Sequence, residues 1–253
     1  AYNVAVGHNA GQAVTTGTLN TLIGGLAGDA LTVGTGNTAM GYSALSADTQ
    51  GSQSVAVGRG ALGNQNFTTG TNAYNVAVGR DAGNDITTGV ENTIVGGLAG
   101  DALTDPDRNT AVGYAALTSD TRGQYSTAIG YFALANQNLT TPQNSYNVAL
   151  GYSAGGNITT GIQNTVLGSL AGDSLTDADF NVAVGVAALS SDTLGSRSTA
   201  LGYGALSVQN FTTATDAYNT GVGYLAGEKI TTGQYNTFLG GLAGDSLTDA
   251  DYN

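Results

Sequence analysis

The sequence predicts an all-β fold, a parallel β-solenoid of about fourteen coils, most of 17 residues and every fourth of 21. Three observations predict it. The stretch Asn3 to Gly17, NVAVGHNAGQAVTTG, returns as NVAVGRDAGNDITTG at Asn75, NVALGYSAGGNITTG at Asn147 and NTGVGYLAGEKITTG at Asn219, each time 72 residues on. Inside each block a shorter unit, N-x-x-V-G, recurs with its closing glycine at Gly7, Gly24, Gly41, Gly58, Gly79, Gly96, Gly113, Gly130, Gly151, Gly168, Gly185, Gly202, Gly223 and Gly240. The third observation is period-two alternation in Asn3-Val4-Ala5-Val6-Gly7, which marks a strand rather than a helix. Units this short cannot each bury a core, so they must stack.

Each position of the unit has its own rule. The opening residue is Asn in eleven units (Asn3, Asn75 and Asn147 among them) and Ser in three, Ser54, Ser126 and Ser198, which predicts a ladder of side-chain amides running from coil to coil. The residue before the marker glycine is apolar every time, as in Val6, Met40, Val78, Leu150 and Leu201, and this column is expected to face the core. The marker glycines themselves, Gly7, Gly79 and Gly151 among them, close the strand. Three residues later stands an Ala without exception, including Ala10, Ala82 and Ala154, where two surfaces are expected to approach closely. In the second coil of each block Leu22, Ile94, Val166 and Phe238 replace the usual mid-strand Ala, which predicts one extra apolar residue per block. The 21-residue coils, such as the one after Gly58, should bulge as a loop once per four coils.

Residues 1–253 thus read as one repetitive shaft with 72-residue super-repeats beginning near 3, 75, 147 and 219, the last incomplete. Both termini fall in mid-repeat, so the chain is expected to be a piece of a longer one. A 17-residue coil offers little interior, and association of several chains would supply the missing core.

Composition limits the function classes. Forty Gly, two Pro and no Cys exclude a disulfide scaffold and thiolate metal sites. Eighteen acids against six Lys and Arg, a formal charge of −12, leave no basic stripe for nucleic acid. No apolar run approaches the roughly 20 residues of a membrane span, so this segment is not expected to insert.

Several stretches imitate chemistry. Gly58 to Gly63, GRGALG, fits G-x-G-x-x-G, yet its equivalents are GYFALA and GYGALS and no helix pattern follows, so it reads as a coil corner and no cofactor is expected. Gly151 to Gly155, GYSAG, fits a nucleophile elbow, but Ser153 is matched by Asn9, Asp81 and Leu225 in the other blocks. The single His8 lies eight coils from Ser153, about 40 Å at roughly 4.8 Å per coil, so no catalytic residue is assigned and no enzyme is expected. Oxygen-rich turns at Asp105, Asp107, Asp177 and Asp179 are candidate Ca²⁺ ligands, with solvated turn residues as the plainer reading and no metal assigned. Tyr42, Tyr114 and Tyr203, each directly after a marker glycine, are candidates for contact with a glycan, though tyrosines so placed also pack between coils or chains. The N-x-T sequons at Asn66, Asn138, Asn157 and Asn210 are otherwise turn residues.

The words Ser54-Val55-Ala56-Val57-Gly58, Ser126-Thr127-Ala128-Ile129-Gly130 and Ser198-Thr199-Ala200-Leu201-Gly202, each followed by x-x-Ala, resemble the head repeat of trimeric autotransporter adhesins. Runs of N-T-A-V-G-Y-x-A-L are similar to those of phage tail-fibre proteins. The resemblance implies a left-handed β-roll, a homotrimer, and a place outside the cell on a virion or cell surface. The 17- and 21-residue coils are longer than those of adhesin heads, which favours the tail-fibre side. The expected function is therefore a fibre shaft supporting adhesion to a cell-surface glycan or protein receptor. The alternative is an ice-binding solenoid, prompted by Thr38, Thr93, Thr110, Thr127, Thr165, Thr199 and Thr237; these share a column with Val4, Val55 and Val182 that the assumed phase turns inward.

Overall fold

A computed structural model describes residues 2–253. Among them there is no helix, and every strand is two or three residues long. The chain divides into two compact units, Ala1–Tyr125 with Thr140–Gln143, and Ser126–Leu139 with Asn144–Asn253. Each unit is a parallel β-solenoid built on seven marker strands.

In the first unit these strands are Val4–Val6, Thr21–Ile23, Thr38–Met40, Val55–Val57, Val76–Val78, Thr93–Val95 and Thr110–Val112, each paired in parallel with the next. In the second they are Thr127–Ile129, Val148–Leu150, Thr165–Leu167, Val182–Val184, Thr199–Leu201, Thr220–Val222 and Thr237–Leu239. The register matches like with like: Val4 lies beside Thr21, Ala5 beside Leu22 and Val6 beside Ile23. The bonds continue past the strands, with the Leu26 N–H donating to the His8 carbonyl and the Gly28 N–H to that of Ala44, both at 2.9 Å. Sequence identity between coils thus becomes a hydrogen-bond ladder in which every coil is the template for its neighbour.

The marker glycine is required twice over. Gly41 has φ +142°, a region that L side chains rarely adopt, and a Cβ built on it would lie 2.4 Å from the Gly58 carbonyl oxygen. The Ala three residues on is buried in the interior coils, including Ala27, Ala44, Ala82 and Ala154, as the close approach read from the sequence requires. The 21-residue coils do bulge: Thr68, Thr69 and Gly70 are exposed, while Phe67 folds back under the loop and is buried.

The facing of the strand is the reverse of the sequence expectation. Ala39, Ala149 and Ala200, in the middle of their strands, are wholly buried, whereas the next residues, Met40, Leu150 and Leu201, are 43%, 49% and 45% exposed. Val6 and Val78 are likewise exposed, and the Thr/Val column of Val4, Thr38 and Thr93 also lies on the outer side. The physical reason lies across the coil. The interior opposite each strand is filled by the residue seven positions after the marker glycine, as at Leu31, Ile86 and Leu103, or four positions after it, as at Leu45 and Leu62, so the strand turns a single residue inward.

Volumes compensate within a coil or between neighbours: Ala5 and Gly11 are both small, and Leu22 Cδ1 of the next coil lies 2.6 Å from where a Gly11 Cβ would stand. Where Leu22 occupies the strand position, the fourth residue is Gly28, and a Cβ there would lie 2.8 Å from Leu22 Cδ2. Where the strand gives Ala39 or Ala56, that fourth position carries Leu45 or Leu62, both wholly buried and held at φ +53° and +48°. Leu22, Ile94, Val166 and Phe238 are buried, as their departure from Ala predicts.

Candidate functional site

The conserved-looking polar position is a structural spine. Asn20 donates its amide N–H₂ to the Gly34 carbonyl at 2.8 Å, while its Oδ1 accepts the backbone N–H of Asn37 at 2.9 Å. Asn75 and Asn147 do the same toward Gly89 with Asn92, and toward Gly161 with Asn164. Asn3 opens the ladder by accepting the Asn20 N–H. Each buried amide therefore satisfies one carbonyl of its own coil and one N–H of the next.

Every fourth rung is different. Ser54 cannot reach as far as Asn, and Gln65 fills the gap: its Nε2 donates to Ser54 Oγ at 3.1 Å and to Asp48 Oδ2 at 2.6 Å, and its Oε1 accepts from Asn75 at 2.9 Å. Asp48, wholly buried, also accepts the N–H groups of Gly51 at 2.9 Å and Phe67 at 3.1 Å. The second unit repeats the arrangement with Ser198, Gln209 and Asp192. A buried carboxylate with this many donors is tolerated because hydrogen bonds replace its hydration. Sequence analysis singled out neither Asp48 nor Gln65, so this cluster was missed.

The candidate cation ligands are engaged elsewhere. Asp107 Oδ1 accepts the Val90 N–H at 2.9 Å and Asp179 Oδ1 the Ile162 N–H at 2.7 Å, one coil back. Asp105 pairs with Arg122 at 3.5 Å, and Asp177 accepts the Thr160 hydroxyl at 2.6 Å. No group of three or more acidic, His or Cys residues placed to hold a metal occurs among the described residues. Asn66 Oδ1 takes the Thr49 hydroxyl at 3.1 Å, so this sequon belongs to a ladder in which Thr32 and Thr104 donate to the following coil's carbonyls.

One acidic position carries a cost. Asp29, Asp101 and Asp173 are equivalent; Asp101 Oδ1 receives the Thr118 hydroxyl at 2.5 Å, whereas Asp29 Oδ1 and Asp173 Oδ1 are buried without a partner. Burial pushes the Asp101 and Asp173 carboxyls above their ordinary value. A raised folded-state pKa means the folded protein holds the proton more tightly than the unfolded chain. The stability this group contributes is full below the unfolded value of 3.8 and is lost as pH rises through the folded one. Asp173→Asn is therefore expected to melt at a higher temperature than the parent at pH 7, with the difference closing toward about pH 4. Thermal melts at the two pH values check this, and a variant less stable at pH 7 would refute it.

What is left for recognition is the outer face of the strands and its two margins. On one margin Tyr203 stacks on Tyr224 with centroids 5.5 Å apart and 16° between planes, and Tyr131 on Tyr152 at 5.6 Å and 6°. Tyr42 and Tyr114 lie against Gly25 and Gly97 of the preceding coil. The candidate glycan-contacting tyrosines thus rest on neighbouring coils, and Tyr203 has one ring face already occupied.

The other margin, the residue before each opening Asn, went unread in the sequence. In the first unit Glu91, Arg108 and Tyr125 form a chain, with Arg108 2.7 Å from Glu91 and 2.9 Å from the Tyr125 hydroxyl. In the second, Arg197 lies over the rings of Phe180 and Tyr218, which is followed by Tyr235 and Tyr252 in stacked succession. The signal was present as a column, because these residues stand 17 or 21 apart, but its mixed chemistry hides it. No protein-family model, curated protein or solved structure matches the chain.

Proposed function

We propose that this chain is the shaft of a surface fibre, on a virion or a cell, that associates as a homotrimer and supports adhesion to a receptor. It acts by reach and multivalency, with no catalytic step and no cofactor. The observation that supports this reading best is the inverted facing: the strands put Ala inside and their larger aliphatic residues outside, as at Met40, Val78, Leu150 and Leu201. A column of this kind, uninterrupted by charge, is a surface that a partner covers. Covering it stabilises by about 1 kcal/mol per half-exposed aliphatic side chain. A second and third copy of the same chain fit the pattern, because their columns repeat at the same spacing, and the adhesin-head resemblance points to the same number. Three identical shafts side by side turn weak receptor contacts into avidity.

Light scattering tests the reading. The expected mass is near three times 25.1 kDa, falling to that of one chain in Met40→Asp/Leu201→Asp while the far-ultraviolet circular dichroism keeps its β signature. A parent protein that is itself a monomer would overturn it.

The outward Thr column supports a second reading, an ice-binding face, since the phase argument against it no longer holds. Thr21, Thr38, Thr93 and Thr110 lie on the outer side, although Val55 and Val76 interrupt them. A monomer that slows ice recrystallisation would replace the fibre reading with this one.

A further inference from the structure

We propose that a cleft in the first unit binds one acidic monosaccharide unit, a hexuronate or a comparable sugar carboxylate. The cleft, of about 230 Å³, is formed by coils three to five and lined by Tyr42, Ser43, Arg59, Asn64, Asp81 and Asn84, with Gly60 in its floor.

Three independent observations converge on it. The first is the state of Arg59. Of the five arginines in the chain, Arg80, Arg108, Arg122 and Arg197 each lie 2.7 to 3.5 Å from a carboxylate. Arg59, exposed at the cleft, pairs with none among the described residues, in a chain where acids outnumber basic residues three to one. Its planar fork is thus free to receive a carboxylate through two parallel hydrogen bonds.

The second is the set of acceptors and donors around it. Asn84 is fixed by donating to the Gly60 carbonyl at 2.8 Å, and Asn64 by donating to Asp85 at 3.0 Å. These bonds use amide N–H groups, and the Asn64 side-chain oxygen accepts no hydrogen bond among the described residues. Asp81 is oriented by Arg80 at 3.0 Å through Oδ2, while its Oδ1 lies over Gly60, 2.4 Å from where a Cβ would stand. A cation beside fixed oxygen acceptors and serine hydroxyls suits a ligand that carries a carboxylate and several hydroxyl groups on one ring.

The third is that the equivalent places further along the chain carry larger, uncharged residues. Phe132 stands where Gly60 does, and Tyr131 where Arg59 does, in the second block. At the third copy of this place, Leu225 at the start of the fourth block takes the position of Asp81, and its Cδ2 lies 2.5 Å from the Cβ that Gly204 of the third block lacks. The residue set Arg59, Gly60, Asp81 and Asn84 occurs once in the chain, whereas the structural columns are common to all blocks.

The proposal deepens the receptor side of the fibre reading and fails separately from it, because sugar binding and assembly mass are different measurements. Saturation-transfer NMR on the intact protein at neutral pH, with free glucuronate as the probe and glucose and acetate as controls, reads it directly. The expected result is saturation of glucuronate protons at least fivefold above either control. That signal should fall at least fivefold in Arg59→Gln, whose circular dichroism should match the parent since the side chain is exposed. Gly60→Phe, which restores the second block's residue, should also remove it. Equal transfer to glucose, equal transfer to acetate, no transfer to glucuronate, or an unchanged signal in Arg59→Gln would each overturn the proposal.

Discussion

Ala77→Asp is expected to destroy the cooperative unfolding of the first unit, whereas Val78→Asp, one residue along the same strand, leaves the unit folded. Ala77 is wholly buried, with the apolar residues Ala56 and Ile94 beside it in the adjacent coils. An ionised group there loses its hydration and gains nothing, a penalty of about 5 kcal/mol or more. In a protein of this size that corresponds to a fall in melting temperature of roughly 10–20 °C, or to no folded state at all. Val78 is on the outer side, and its replacement is expected to change the folding free energy of one chain by less than about 1 kcal/mol. Thermal melts of the two variants at matched dilution decide the matter. The opposite order of damage would restore the aliphatic column as the core and remove the main support for self-association.

The amide spine yields the second large effect. In Asn164→Ala the Ala178 carbonyl loses the amide donor at 2.7 Å and the Asn181 N–H loses its acceptor at 3.0 Å, both in the interior of the second unit. Two buried groups left unpaired cost about 1–3 kcal/mol each, so a loss of roughly 2–6 kcal/mol is expected. Urea unfolding followed by circular dichroism measures it. A loss below about 1 kcal/mol would mean that water replaces the amide and that the ladder is not a source of stability.

The fold class, the coil period and the amide ladder were legible because they are properties of repetition: a residue that recurs at one phase of a stacked coil must meet its own copy. The facing of the strand was not, because the usual reading of large apolar residues as inward assumes an interior wide enough for them. Here Leu45 and Leu62 reach across from the far turn and occupy that width. The information was nonetheless present as paired exchange. Leu22 comes with Gly28 and Ala39 with Leu45, and where Ala77 and Gly83 are both small Leu62 of the preceding coil reaches toward Gly83, whereas Ile23, Met40 and Val57 vary with no partner that changes in step. Compensation of volume marks the inside better than hydrophobicity does in so thin a coil.

The buried Asp48 and Gln65 were missed for a related reason. A carboxylate in a turn reads as solvated, and only its constant company shows otherwise: Ser54 stands six residues after Asp48 and eleven before Gln65, and Ser126 and Ser198 keep the same spacing. Asp107 and Asp179 looked like cation ligands because oxygen-rich turns are ambiguous in sequence. Their actual work is to accept a backbone N–H from the coil before. The Arg59 cleft has no sequence signature, since its residues come from three coils and differ from their equivalents one at a time.

The four-coil grammar has a consequence for how such a chain can err and how it can vary. Because all marker strands look alike to one another, a nascent chain could pair each coil one step out of place and still make every strand hydrogen bond. The interiors forbid it. A slip of one coil would set Asp48 where Leu31 belongs and bring Leu45 into the space that Leu22 has already filled. Only a slip of a whole block restores the match, and it must then skip 72 residues of growing chain, which the slow closure of long loops disfavours. The same arithmetic applies to inheritance. Loss of the fourth coil alone parts Asp48 from Gln65, while loss or duplication of a whole block keeps that pair together. The block is thus the increment of length that keeps the buried hydrogen-bond pairs intact.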